Sequence, residues 1–379
     1  MHRLVVASLL SVASLVAGCS CNDQAFAPLD IPVIEDDFGR YLSADVAPDK
    51  SPVIAYYNVT QGALGFAIGD VRDAGKVAWR HEKVDGFAEG GLDTGDVGQY
   101  CSMKVSPDGT VWVSYYGGKQ LRVAHRVNGQ WSHETVDGGD GLKPDAGKYT
   151  SLDLDADNNP VVAYYDVGNR TLKVARVRDG AWTKETVFRG EAYSGLDADG
   201  NAIERDADAG RFARLLIDGT TEYIAFRDDG QQTLNLLEGF PGAYAHTVVD
   251  DGGNVGSWPS LLLDGGKLYV AYENLTTTTL SLAVREGAGR FKIETVDESD
   301  HTGADTELFK QGENVGVMYF DGRHNDIKLA VQSGDGWVID KAAGDSGALG
   351  FFNETVAVGD QRYIASYDYT NRTLFWKAL

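Results

Sequence analysis

The chain reads as an all-β, seven-bladed β-propeller of four-stranded antiparallel blades, and three observations predict it. A unit of the form Asp-x-Gly-x-Tyr-x-Ser-Leu … Val-Ala-Tyr-Tyr-Asp … Leu-Lys-Val-Ala … Trp-x-x-Glu-Thr-Val-Asp recurs to the last residue, and self-similarity at such a period marks a solenoid, propeller or array. Each unit holds four short segments rich in β-branched and aromatic residues. They are divided by turn formers such as Asp108-Gly109, Asn128-Gly129 and Asp179-Gly180, the pattern of strands joined by hairpins. The last unit lacks its fourth segment, while a spare strand-like segment, 31–36, precedes the first.

The elements follow in order. Residues 1–18 read as a signal peptide: Arg3 precedes an apolar run, Leu4 to Val16, that is too short to span a membrane and ends in small residues. Residues 19–30 read as a tether and 31–379 as the propeller domain. Within it the first strand of a unit is Gly98–Met103 or Gly147–Leu152, and the second Val113–Tyr116 or Val162–Asp166. The third is Leu121–Ala124 or Leu172–Ala175, and the fourth Trp131–Asp137 or Trp182–Val187. The aromatic of the first strand recurs as Tyr41, Tyr100, Tyr149, Phe212, Trp258, Asp305 and Phe352, 46 to 63 residues apart. Asp305 breaks the aromatic rule, which makes the sixth unit the weakest repeat. The two longest spacings hold acidic, Gly-rich connectors at 70–75, 86–94 and 190–208. The N-terminal strand, 31–36, is expected to complete the last blade, closing the ring and removing an exposed sheet edge. Pro32 is tolerable there, because an outermost strand bonds on one side only. An eight-bladed ring and an open solenoid are the alternatives; four strands of about five residues per unit argue against the solenoid.

Two resemblances extend this reading. Leu15-Val16-Ala17-Gly18-Cys19 resembles the lipobox of bacterial lipoproteins. That resemblance implies cleavage before Cys19, lipid (palmitate among it) on its thiol and new amine, and an outer-membrane address on the periplasmic or surface face. The alternative is an ordinary signal peptide cut near Ala17. The repeats also resemble those of secreted bacterial propellers grouped near the sialidase-like fold, which implies architecture alone. The nearest approach to a sialidase Asp-box is Ser106-Pro107-Asp108-Gly109-Thr110-Val111-Trp112, whose Gly comes one place early and which the other units lack. Sialidase chemistry is therefore not carried over.

Composition excludes some partners. A formal charge of −22, from 56 acidic against 34 basic residues, repels phosphate backbones, so no nucleic acid is expected; the protein is expected to be a monomer. Beyond Cys19 only Cys21 and Cys101 remain, so no disulfide framework supports the domain. Cys101 falls in a column with Leu42 and Thr150 and reads as a small buried residue.

Comparison of the units with one another locates where the repeat breaks. The serine of the first strand runs Ser43, Ser102, Ser151, Arg214, Ser260, Glu307, Glu354, and the second tyrosine of the second strand runs Tyr57, Tyr116, Tyr165, Arg227, Glu273, Phe320, Tyr367. Arg214, Arg227, Glu273, Glu307 and Glu354 are thus the candidate ligand-binding residues, expected at one side of the channel mouth. The competing reading is a set of structural ion pairs between blades. The paired tyrosines (Tyr56, Tyr57, Tyr115, Tyr116, Tyr164, Tyr165) suit sugar stacking if exposed, and otherwise pack between blades.

No cofactor is expected. Asp153-x-Asp155-x-Asp157-Asn158-Asn159 looks like the start of a calcium loop, but the Gly and distal Glu are missing and a hairpin turn is due there; Asp197-x-Asp199-Gly200 is similar. The histidines show no ligand spacing, and no nucleophile motif stands out. The expected function is a lipid-anchored binding module for a glycan or protein. One alternative is a glycan hydrolase using Glu307 and Glu354, whose separation of about 10 Å is marginal for inversion and too wide for retention. A structural envelope scaffold is the other.

Overall fold

A computed structural model of the chain describes residues 36–72, 76–86, 95–196, 199–287, 289–344 and 347–379. The signal peptide, Cys19, Cys21, the tether and all of the closing segment but Asp36 lie outside the described residues. Seven antiparallel meanders form the blades of a propeller, with no helix among the described residues. Six sheets have four strands; the seventh, among the described residues, has three (Phe351–Val358, Gln361–Asp368, Thr373–Ala378). The inner strands are Phe38–Val46, Val97–Val105, Ala146–Leu154, Ala209–Asp218, Val255–Asp264, Thr302–Gln311 and Phe351–Val358. The sixth blade is complete despite Asp305. The connector after the third blade carries an unforeseen hairpin, Tyr193–Leu196 with Ala202–Arg205.

The repeat consensus is the chemistry of the seams between blades. The Asp of Asp-x-Gly-x-Tyr accepts the second tyrosine hydroxyl of the preceding blade: Tyr116 donates to Asp145 at 3.0 Å and Tyr165 to Asp208 at 2.7 Å, as Tyr57 does to Asp96. The Asp ending the outer strand accepts the first tyrosine of the next blade, as in Tyr115 to Asp85, Tyr164 to Asp137 and Tyr319 to Asp297, each 2.7 Å. The Lys of Leu-Lys-Val-Ala neutralises that Asp: Lys173 Nζ lies 2.6, 2.9 and 3.4 Å from Asp137, Asp140 and Asp166, and Lys328 contacts Asp297 and Asp321. Buried charges need such partners. The tyrosine columns are accordingly interior, with Tyr115 and Tyr164 wholly buried.

The seam between the seventh and first blades uses the same bonds. Phe38 N–H donates to Arg372 O at 3.1 Å, as Val97 N–H does to Gly62 O at 3.0 Å, and the Tyr367 hydroxyl donates to Asp37 at 2.7 Å. Ring closure therefore does not wait on the fourth strand of the last blade.

Candidate functional site

Every inner strand bends at the same place. The register slips between residues 99 and 102, 148 and 151, and at the equivalent points of the other blades, inserting one extra residue into the inner strand. The residue at that bulge is the aromatic column: Tyr41, Tyr100, Tyr149, Phe212, Trp258, Asp305 and Phe352 all have φ between 48° and 57°. A bulky residue in the left-handed region costs about 1–3 kcal/mol, and glycine is the usual occupant of such a bulge. The glycine two residues earlier has a separate role. At Gly147 (φ 109°) a Cβ would come within 2.6 Å of Leu121 Cα on the preceding blade, so only glycine allows that approach.

The bulge turns six aromatic rings into the channel mouth, where they form a belt. Ring centroids lie 4.6 Å apart for Phe352–Tyr41, 4.7 Å for Tyr41–Tyr100 and 4.8 Å for Tyr100–Tyr149. The series continues at 4.6 Å for Tyr149–Phe212 and 4.7 Å for Phe212–Trp258. Interplanar angles of 44° to 59° are close to the one-seventh of a turn between neighbouring blades. Each aromatic contact returns about 0.5–1.5 kcal/mol beyond burial, which offsets the backbone strain. Beneath the belt the next residue ties blade to blade: Cys101 Sγ donates to Tyr41 O at 2.5 Å, Thr150 to Tyr100 O at 2.7 Å and Thr306 to Trp258 O at 2.6 Å. Cys101 is free and buried, and burial pushes its thiol pKa up.

Asp305 stands where the seventh ring would be. Aspartate visits the left-handed region more readily than an aromatic, so the backbone accepts it; burial does not. Loss of water pushes its carboxyl up to about 7, against the Phe352 N–H and the Arg214 charge, with the Glu273 charge adding to the rise. The sequence comparison missed Asp305 as a site residue, although a charge in an aromatic column was the signal needed.

The candidate residues divide. Arg214, Glu307 and Glu354 replace the column serine, whose hydroxyl elsewhere accepts a backbone N–H of the next blade, as Ser102 accepts Leu152 N–H at 2.9 Å. The Arg214 guanidinium lies 4.0 Å from Glu307, beyond hydrogen-bond reach, and makes no side-chain hydrogen bond among the described residues. Burial, then the Glu354 charge, raises the Glu307 pKa, and burial also raises that of Glu354. Glu354 has no ion-pair partner within 4 Å among the described residues. Glu273 does not line the channel-mouth cavity with Arg214 and Glu354: burial pushes it up to about 7 against the Arg227 charge, and its own charge is felt at Asp305. Arg227 is elsewhere in character: its Nη atoms donate to Val255 O and Asn254 Oδ1, both at 2.5 Å, and its Nε to Asp229. It is a seam residue, with Asn254 in the place of the seam Asp.

The channel mouth encloses a cavity of about 110 Å³ lined by the belt, Asp305, Arg214, Pro259, Asn353 and Glu354, room for several waters. Elsewhere, among the described residues, one group of carboxylates could gather round a cation, Asp137, Asp140 and Asp166, and the Lys173 ammonium already sits among them. The calcium-loop candidate is a turn: Asp155 Oδ1 accepts the N–H groups of Asp157 and Asn159 at 3.0 and 2.8 Å, while Asp153 Oδ2 accepts Ile217 N–H. Asp197 lies outside the described residues.

No protein-family model matches the chain, and no curated protein is similar to it in sequence. Its likeness to solved structures is one of shape. A polysaccharide lyase is 10% identical over 86% of this chain and 87% of its own, with a TM-score of 0.50. A prolyl endopeptidase is 11% identical over 90% of this chain, with a TM-score of 0.51, and this chain spans half its length. A phage phi92 endosialidase is 10% identical over 87% of this chain and 62% of its own, with a TM-score of 0.47. At these identities the likeness concerns the fold alone, and one propeller hosts unrelated activities. The chain is a seven-bladed β-propeller.

Proposed function

We propose that this protein is a recognition module that binds a glycan at the mouth of its central channel, and that lipid on Cys19 holds it in the bacterial cell envelope. One observation carries the binding reading. Arg214 and Glu354 line an aromatic-walled cavity and form no side-chain hydrogen bond to the protein among the described residues. Five N–H donors and a carboxyl, half-withdrawn from water, are then available to a ligand, and a mostly apolar wall with a few convergent polar groups is the usual make-up of a ligand site. In the seams, by contrast, Lys173 and Lys328 neutralise the buried carboxylates of Asp137, Asp166, Asp297 and Asp321. The fold contributes nothing to the choice, since a lyase and a peptidase share it.

The test is a glycan array probed with the full-length protein in mild detergent. Binding that is lost in Arg214→Ala supports the reading; a blank array at high protein concentration refutes it. Intact-mass measurement of membrane-extracted protein tests the anchor: a diacyl or triacyl mass that disappears in Cys19→Ser is expected, and an unmodified chain cut near Ala17 overturns it.

A second reading rests on the Glu307–Glu354 pair. Desolvation raises both carboxyls and the Glu354 charge raises Glu307 further; two such neighbouring groups can divide into acid and base, which a glycan hydrolase requires. Turnover of the bound glycan, lost in both Glu307→Gln and Glu354→Gln, distinguishes a hydrolase from a binder, which shows none.

A further inference from the structure

We propose that the gap in the aromatic belt at Asp305 is a seat for one neutral pyranose ring, stacked between Trp258 and Phe352 and held at its hydroxyls by Asp305, Glu354 and Arg214. The proposal rests on the glycan reading above and assigns the ring position and its polar partners.

The belt defines the seat. Tyr41, Tyr100, Tyr149 and Phe212 each have a ring neighbour in the belt on both sides, at 4.6 to 4.8 Å, so their faces are covered. Trp258 has Phe212 on one side and Asp305 on the other; Phe352 has Tyr41 on one side and Asp305 on the other. These two rings therefore keep one unstacked face each, and both faces turn toward the same gap. Two blade steps separate them, so the space between them is that of one missing ring. Asp305 leaves its strand at the same bulge, with φ 48° beside 52° for Trp258 and 57° for Phe352. Its side chain starts in the same direction but is too short to fill the place.

The floor of the gap selects the occupant. A pyranose has two apolar C–H faces and a rim of hydroxyls, which matches two ring faces above a polar floor. Arg214 makes no side-chain hydrogen bond among the described residues, Glu354 has no ion-pair partner there, and the Asp305 carboxyl has the Phe352 N–H as its nearby donor. Hydroxyls can donate to the carboxylates and accept from the guanidinium at once. A phenyl or indole side chain from a partner protein would fill the same volume but bury these groups unsatisfied. Above about pH 7, where the Asp305 carboxyl ionises, a ring bearing a carboxylate would also bring like charge against it.

The experiment titrates methyl glucopyranoside, methyl mannopyranoside and methyl galactopyranoside into the full-length protein, read by saturation-transfer NMR. At least one is expected to bind, with transfer to its ring C–H protons. Asp305→Phe completes the belt and is expected to weaken binding at least tenfold without lowering Tm. Asp305→Asn keeps hydrogen-bonding capacity and stays within about threefold of the parent. If Asp305→Phe fails to fold, Trp258→Leu against Trp258→Phe asks the same question: loss in the first and retention in the second. Undiminished binding in Asp305→Phe or Trp258→Leu would overturn the seat while leaving glycan recognition standing. Failure of all glycans on the array overturns both. Binding of a Trp-containing peptide in preference to all three glycosides would overturn the sugar assignment.

Discussion

Asp305 gives the most direct test of how the channel is built. Partial burial in the channel lifts its carboxyl from 3.8 to about 7, worth about 4 kcal/mol at most. Water in the cavity reduces this, and about 2–4 kcal/mol is the expected range. The folded chain holds a proton that the unfolded chain releases. The stability from Asp305 is therefore fully present below about pH 4 and lost as pH rises through about 7. Asp305→Asn stays neutral throughout and tolerates the left-handed backbone. It should match the parent near pH 4 and exceed it by 2–4 kcal/mol near pH 8.5, a Tm gain of roughly 3–6 °C for a domain of this size. Scanning calorimetry of both proteins at the two pH values makes the measurement. Only the difference is informative, because other carboxyls pull the other way. Burial works against it, but bonds from Lys173, Lys184 and Tyr164 hold Asp137 down to about 2, and that stability is lost as pH falls through about 2. A variant whose advantage is the same at pH 4 and pH 8.5 would refute a half-buried, proton-holding Asp305.

Other expected outcomes follow from the seams. Lys173→Met leaves Asp137, Asp140 and Asp166 facing one another and should cost about 3–5 kcal/mol, read as a fall in denaturation midpoint; a neutral effect would mean the cluster is hydrated. Phe226→Tyr places a hydroxyl where Phe188 stands in for the usual Asp and should cost about 1–3 kcal/mol. Adding Phe188→Asp should restore part of the loss, a coupling that a double-mutant cycle measures. Cys101 should resist a thiol reagent until the protein unfolds, since the thiolate is the reactive form and burial suppresses it; fast labelling of the native protein would contradict its buried place. Deleting residues 31–36 should expose the Thr373–Ala378 edge and speed its amide exchange, whereas unchanged protection there would argue against the proposed closing strand.

Much of the fold was legible because each blade repeats the same local chemistry. Alignment of units placed Tyr41 through Phe352 in one column, and all seven residues occupy the same bulge. What the alignment could not supply was direction. A tyrosine two residues before a serine does not reveal that the tyrosine sits at φ near 50° and turns into the channel. The tyrosine pairs of the second strand, equally conspicuous in sequence, face the seams instead. The 193–205 hairpin was hidden for a different reason: its strands are four residues each, too short and without the sequence alternation that marks a half-buried strand. Within the site, Arg214, Glu307 and Glu354 were found because they break a serine column. Asp305 breaks the aromatic column just as sharply, but in sequence such a break equally well marks a weak repeat.

A break in the repeat has two physical meanings, and the seams separate them. Where the first tyrosine becomes Phe226, the Asp it would have met has become Phe188, and the two rings lie 4.9 Å apart. Where the second tyrosine becomes Arg227, the facing Asp has become Asn254, and the guanidinium bonds to it. Both breaks are answered within the chain, so stability accounts for them. Arg214, Asp305 and Glu354 are not answered in this way: the serine staple is given up, a ring is omitted, and burial raises the carboxyl pKa values of Asp305 and Glu354 without a close ionic partner. Desolvating such groups costs free energy in the unliganded protein. A cost that the described residues do not offset is the physical ground for seeking a partner in a ligand, at the gap in the belt.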